Sequence, residues 1–458
     1  SIIFLQKPKN MAPPKEKKQK LSTSETISPS LSKMKKKKNK RKKRVSKSLI
    51  TSSPSHSEKD LVTLSPPPIS KVNVEKAMKK QNDVAMFLTE KVISAVAKNS
   101  NFVFSPASIN AALTMVAASS KEEKLTSSIL SFLRSYSMDE LKAVFSEIAT
   151  MVLADGSASG GPKISNVNGV WMEQSLGVDP SSKDLFENFF KATCALVDFR
   201  FKVSFILDKM GYAEEVRAEV NAWASSHTNG LIKVILPPGS VTSDTDSIFG
   251  NALYFKGTWE QKFTKSLTRH FDFHLLNDKS VSVPFMTNHK KQYVEQYSDF
   301  KVLKLPFRQS GDTNRQYSMY FYLPDAKDGL NSLVKRVASS SSTLGFLDSH
   351  TPIKQVEVGV FRIPKFKIDF GFEAKKAFNG LNLDLLSLNH KALVEIDEDG
   401  AEAAAVTVIR RYGGRGFRCG KRIDFVADHP FLFMIREDKT GTVLFVGQIF
   451  DPSKSASP

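Results

Sequence analysis

Cysteine is almost missing: Cys194 and Cys419 are the two in 458 residues, too few for the disulfide framework that staples small secreted domains. No Asn-x-Ser/Thr acceptor occurs, and no run reaches the roughly 18 apolar residues of a spanning helix. Ile2-Ile-Phe-Leu5 is too short for the core of a secretory signal. Acidic residues are scarce at one end. Residues 1–50 hold 17 Lys/Arg against 2 Glu, so the chain's formal charge of +19 falls to +4 over the remaining 408 residues. These absences exclude a disulfide scaffold and give no reason to expect a membrane partner. They point to the nucleus or cytoplasm, with an extracellular location as the alternative.

The first 70 residues carry Lys35-Lys-Lys-Lys38 and Lys40-Arg-Lys-Lys-Arg44, followed by Ser, Thr and Pro up to Pro68. Such a composition cannot bury enough apolar surface to fold, so 1–70 reads as a disordered, basic, Ser/Pro-rich tail. The stretch from Lys35 to Arg44 has the form of a nuclear import signal, whose partner would be an import receptor. A salt-sensitive, nonspecific nucleic-acid contact is a second use, and a solvated tail the bland one. Met11-Ala-Pro-Pro-Lys has the form of a natural start, which sets residues 1–10 upstream of it.

Residues 71–452 read as one domain, with 453–458 a short C-terminal tail. Val84, Phe87, Leu88, Val92, Ile93 and Val96 recur at helical spacing, and Ser105-Pro106 opens a second helix, Ser as cap and Pro at its first position. Strand-like runs come later, near Tyr317, Val356, Phe366 and Gly441. Helices first and strands afterwards predict an α+β body.

The most informative stretch begins Glu395-Ile-Asp-Glu-Asp-Gly400-Ala-Glu402-Ala-Ala-Ala-Val406-Thr407 and closes with Ile423-Asp-Phe-Val-Ala-Asp-His-Pro430. Ala403, Ala404 and Ala405 favour helix while Val406, Thr407, Val408 and Ile409 favour strand, so the run has no single preferred state. As a strand it would put Ala401, Ala403, Ala405, Thr407 and Ile409 on one small, mostly apolar face, with Glu402, Ala404, Val406, Val408 and Arg410 on the other.

This region resembles the reactive loop of the serpins, the plant Z-type branch above all. Phe102-Val-Phe-Ser-Pro-Ala-Ser-Ile109-Asn-Ala-Ala, Thr228-Asn-Gly-Leu-Ile-Lys233 and Asn251-Ala-Leu-Tyr-Phe-Lys-Gly257-Thr-Trp259 extend the resemblance over about residues 72–452. It implies a fold of three β-sheets with about eight or nine helices and an exposed reactive-centre loop at about 398–422. The implied activity is inhibition of serine endopeptidases, and of arginine-specific cysteine proteases as a further class. The loop would act as bait, be cleaved, and trap the protease by inserting as a new strand. The alternative is a non-inhibitory serpin-fold binding protein with a nuclear location. The hinge of such a loop would be Glu398, Gly400, Ala401, Glu402, Ala403, Ala404, Ala405, Val406 and Thr407. Family spacing sets the scissile bond after Gly414, between Gly414 and Arg415; a shift of one residue gives Arg415-Gly416, preferred because Arg fills an acidic pocket well. Arg411 and Arg418 are fallbacks. The expected partners are proteases with Arg preference, the expected state is a monomer, and no cofactor is implied.

Three features depart from the family pattern. The connection 374–389 is shorter by a helix or more, Ser119-Ser-Lys-Glu-Glu-Lys124 lacks the usual glycines, and Arg411 would point inward on insertion. Ser105, Ser108 and Asn110 match the family's core polar positions; an ordinary capped core helix explains them as well.

Other patterns carry less. His270, Asp272 and His274 share one strand face, as metal ligands would, but a half-buried strand gives the same alternation. Asp397 and Asp399 before Gly400 imitate half a calcium loop, with Val406 where the bidentate Glu belongs. Gly156-Ser-Ala-Ser159-Gly sets its serines off the centre of a nucleophile elbow, and His227, His390 and His429 are isolated, so no enzyme is expected. Cys419 has Arg415, Arg418, Lys421 and Arg422 around it, which would lower a thiol's pKa; an incidental exposed cysteine is the plainer reading.

Overall fold

The structure, a computed structural model, describes residues 2–6, 71–200, 211–309, 311–339, 345–373, 378, 383, 386–400 and 422–454. Residues 1–8 and 69–458 form one compact unit, and 9–68 lie outside the described residues. Eight α-helices and three sheets make up the described part of that unit, the α+β architecture expected.

The amphipathic Lys71–Ala95 helix buries Val84, Leu88 and Val92 along one face. The Pro106–Ser119 helix starts as its sequence predicts: the Ser105 side chain accepts the Ser108 N–H and Pro106 opens the first turn. It is buried without a break from Pro106 to Ala117, so it is the central core helix rather than an amphipathic one.

The seven-stranded sheet runs Gln355–Val356, Gln292–Gln296, Phe300–Pro306, Tyr317–Pro324, Phe431–Glu437, Val443–Ile449 and Phe102–Phe104. Its central strands are buried along their whole length, which is why they read as apolar runs without alternation. A four-stranded sheet orders Ile423–Val426, Val358–Pro364, Ser280–Met286 and Arg269–His274. It receives the chain again after the loop.

The main sheet orders Phe366–Glu373, Leu386–Ile396, Ile2–Gln6, Thr245–Lys256, Lys163–Glu173 and Ala192–Val197. Its third strand corrects the expectation that residues 1–70 contribute no structure. Ile2–Gln6 pairs antiparallel with a neighbour on each side, and four consecutive residues, Ile-Ile-Phe-Leu, favour strand or burial. The shortened connection runs only from Glu373 to Leu386; within it Phe378 and Leu383 are buried, Phe378 edge-on to Phe132 at 5.4 Å between ring centres.

Candidate functional site, the gap in the main sheet and the root of the loop

Thr245–Lys256 and Leu386–Ile396 are both antiparallel to Ile2–Gln6, so they run parallel to each other with the short strand between them. The short strand pairs with residues 245–250 on one side and 386–389 on the other. Ile2 stands opposite Gly250 and Asn389, and among the described residues no strand pairs on the gap side with 251–256 or 390–396. Instead a cleft holding about 40 Å³ opens there. Leu253, Tyr254 and Phe255 line one wall, Leu393, Val394 and Glu395 the other, with Ile232, Ile435 and Phe445 also bordering it. The two strands part around this cleft.

At the foot of this opening lies a buried polar network. Asn251 donates to the side-chain oxygens of Asn166 (2.8 Å) and Asn168 (2.9 Å), and Asn168 donates to Phe190 O at 2.7 Å. Ser108 Oγ donates to Asn251 O at 3.2 Å, and His390 Nε2 accepts the Ser105 N–H at 3.0 Å. Burial pushes the His390 pKa well below its ordinary value. Of the polar residues expected at the core, Ser105 and Ser108 join the network, while Asn110 donates to Gln81 of the first helix at 2.6 Å. His390 was not legible as a site residue. His227 and His429 lie elsewhere, paired with Trp223 O and Pro324 O.

The root of the loop sits at the head of the opening and is fastened to the end of Thr245–Lys256. Trp259 N–H donates to Asp399 O and its indole N–H to Asp397 O, each at 2.9 Å, while Phe263 N–H donates to Glu398 O at 2.9 Å. Trp259 is held in turn by Phe307, stacked at 4.7 Å. Glu398 is buried, accepting from Thr268 Oγ1 at 2.7 Å and Lys365 Nζ at 2.8 Å. Burial alone would raise its pKa, but those two donors outweigh it and hold the carboxyl below its ordinary value. Asp399 behaves alike, with Lys265 at 2.8 Å and Lys262 at 3.1 Å overcoming desolvation. Asp397, where burial prevails, is shifted up, and its Oδ1 accepts the Asp399 and Gly400 N–H groups. The acidic turn is therefore a latch made of backbone and lysine contacts.

Gly400 is required where it stands. Its φ is 142°, it bridges to Thr258, and a Cβ would lie 2.2 Å from Gly257 O. Ala401, Glu402, Ala403, Ala404, Ala405, Val406 and Thr407, the reactive-bond candidates Gly414, Arg415 and Gly416, and Arg411, Arg418 and Cys419 all lie outside the described residues. Downstream the chain is pinned again: Ile423 lies opposite Val358 in a parallel pair, and Asp424 Oδ1 accepts Val360 N–H at 2.7 Å. His270 and Asp272 are exposed on Arg269–His274 beside the buried Phe273, and no cluster of three metal-ligating side chains forms among the described residues. Nor is any described helix long and apolar enough to cross a membrane.

The latched turn at 397–400 thus stands at the head of the cleft in the main sheet, and the chain is pinned again at Ile423 in a second sheet. Residues 79–452 match the family model described as Serpin (serine protease inhibitor). The chain belongs to the serpin family. It is 62% identical to "Probable non-inhibitory serpin-Z5" of Arabidopsis thaliana over 96% of this chain and 99% of that one. Serpin-Z2 of Arabidopsis thaliana is 56% identical over 97% and 98%. Among solved structures, "Structure of Arabidopsis AtSerpin1. Native Stressed Conformation" aligns with a TM-score of 0.71 at 45% identity, covering 83% of this chain and 99% of that one.

Proposed function

We propose that the protein inhibits trypsin-like serine proteases, and arginine-specific cysteine proteases as a second class, by offering Arg415-Gly416 as bait and inserting residues 401–411 into the main sheet. The observation that carries this reading is the cleft between Leu253–Phe255 and Leu393–Glu395, whose two strands run on into the latched root of the loop at 397–400. Loop insertion extends the ladder on both sides, and on the order of ten new hydrogen bonds at roughly 1 kcal/mol net each would match the whole stability of a domain. That suffices to distort an attached protease.

The test is incubation with trypsin followed by denaturing electrophoresis. The parent is expected to form a denaturant-stable adduct, whereas Ala405→Arg, which sets a charge on the face that must go under, is expected to be cut without one. Mass analysis of the released fragment should give Gly416 as its amino terminus; a fragment starting at Tyr412, Arg415 or Cys419 overturns the assignment.

A non-inhibitory role is the second reading. Two observations favour it: the serpin-Z5 relative is described as non-inhibitory, and Ile2–Gln6 already fills part of the track. For location, the basic run at Lys35 to Arg44 supports nuclear import, and deleting residues 9–68 should abolish nuclear accumulation while leaving loop cleavage unchanged.

A further inference from the structure

Where the chain rejoins the body at Ile423, the two neighbouring strands are out of step. Val358 stands opposite Ile423 and Phe361 opposite Phe425, so three steps along Val358–Pro364 match two along Ile423–Val426. The extra residue interrupts the ladder at Gly359-Val360. A side chain repairs it: Asp424 Oδ1 accepts the Val360 N–H at 2.7 Å. Beyond this point the strand is secure, with Phe425 and Ala427 buried and the Ala427 N–H donating to Arg362 O at 3.0 Å. Before it, Ile423 is partly buried and Arg422 exposed, so the end of the strand depends on its pairing with Val358 and on the Asp424 bond.

Gly359 makes the repair possible. A Cβ built there would overlap Asp424 Oδ1 and lie 3.8 Å from Arg422 Cβ. The missing side chain leaves a notch over which Asp424 and Arg422 both lie, as residues two apart along an extended chain should. Gly359 does not hold a positive φ, so an alanine suits its backbone and would displace the carboxylate alone. Its lack of a Cβ serves Asp424.

By residue type, Arg422-Ile423 suits a trypsin-like protease as well as Arg415-Gly416 does, because either arginine fits an acidic pocket. Attack requires the segment around the bond to leave its own sheet and lie extended along the protease. The Asp424 bond opposes that departure. The distinction matters for trapping, because an acyl bond to Arg422 would tether the protease seven residues farther from the turn at 397–400 than one to Arg415. That is up to roughly 24 Å of extended chain. A protease on the longer tether is not drawn against the body and completes hydrolysis.

We propose that Asp424, seated over Gly359, is a clip that fixes the downstream end of the loop and excludes Arg422-Ile423 from attack by arginine-specific proteases. It is a positioning residue, acting through the strand that it holds. The effect on trapping rests on the inhibitor reading above; the protection of Arg422-Ile423 does not.

The test digests the full chain with trypsin in molar excess and follows the fragment whose amino terminus is Ile423. Gly359→Ala, which displaces the carboxylate, and Asp424→Ala, which removes it, are expected to speed this cut by about tenfold or more, with a like rise in exchange of the Val360 amide. Asp424→Asn keeps the acceptor without the charge and is expected to stay within about threefold of the parent. The double variant Gly359→Ala/Asp424→Ala should be cut no faster than either single one, since both open the same bond. At equimolar trypsin the opened forms should give about half or less of the parent's denaturant-stable adduct. Parental protection in both Gly359→Ala and Asp424→Ala overturns the clip. Asp424→Asn cut as fast as Asp424→Ala overturns it too, because the charge beside the bond would then be what slows trypsin. Lost protection with an unchanged adduct yield overturns the effect on trapping alone. No adduct from any form, with protection lost in the opened variants, overturns the inhibitor reading and leaves the clip standing.

Discussion

His390 has no surroundings that tolerate a charge. It is fully enclosed at the midpoint of the main-sheet opening, and its Nε2 already accepts the Ser105 N–H. Burial depresses its pKa, so below about 6.5 the unfolded chain takes up a proton that the folded protein refuses. Stability from this group is complete above that pH and is lost as pH falls through the folded value. Urea unfolding of the parent should therefore weaken steadily from about pH 7 down to about 5, and His390→Gln should remove most of that slope while costing stability at neutral pH. A variant with the parent's slope would assign it to another group. Nothing in the sequence marked this histidine, because its partner lies 285 residues away and exists only once the Ser105 turn meets the Leu386–Ile396 strand. Gly400 was legible, since only a residue without a Cβ tolerates its dihedral and its approach to Gly257.

The latch at 397–400 is an element whose parts come from four places in the chain: Trp259 to Thr268, Lys365, Phe307 and the acidic turn itself. From sequence the turn resembled half a calcium loop, and its lysine partners could not be paired with it because each stands in a segment of ordinary composition. Strands with a full apolar face, such as Tyr317–Pro324, were readable by contrast. Ile2–Gln6 was not, since a short apolar run beside a basic tail has no fold of its own until two strands flank it. The latch has a definite acid limit. Glu398 and Asp399 have depressed pKa values, so their contribution is present above the ordinary carboxylate value near 4 and is lost as pH falls through the lower folded values. Asp397 shifts the other way and protonates first, without releasing the turn's backbone bonds. Tryptophan fluorescence should therefore report an intact Trp259 environment down to below about pH 4. Glu398→Gln, which cannot pair with Lys365 as an ion, should loosen the latch already at neutral pH, read as faster exchange of the Phe263 amide. Equal exchange in parent and variant would mean that the carboxylate does not hold the turn.

For the whole molecule, the opening sets how much stability cleavage of the loop can release. Full insertion down to the level of Leu386 adds about ten residues of ladder, on the order of 10 kcal/mol. A body of about 380 residues melts with an entropy near 0.8 kcal/mol/K, so full insertion should raise its melting temperature by about 12 °C. Cleavage of the parent by a catalytic amount of trypsin, followed by calorimetry, should show a shift of that size if the cut loop joins the main sheet. An unchanged melting temperature after complete cleavage would mean that the cleaved loop stays outside the sheet, and the strand-insertion reading would fall with it.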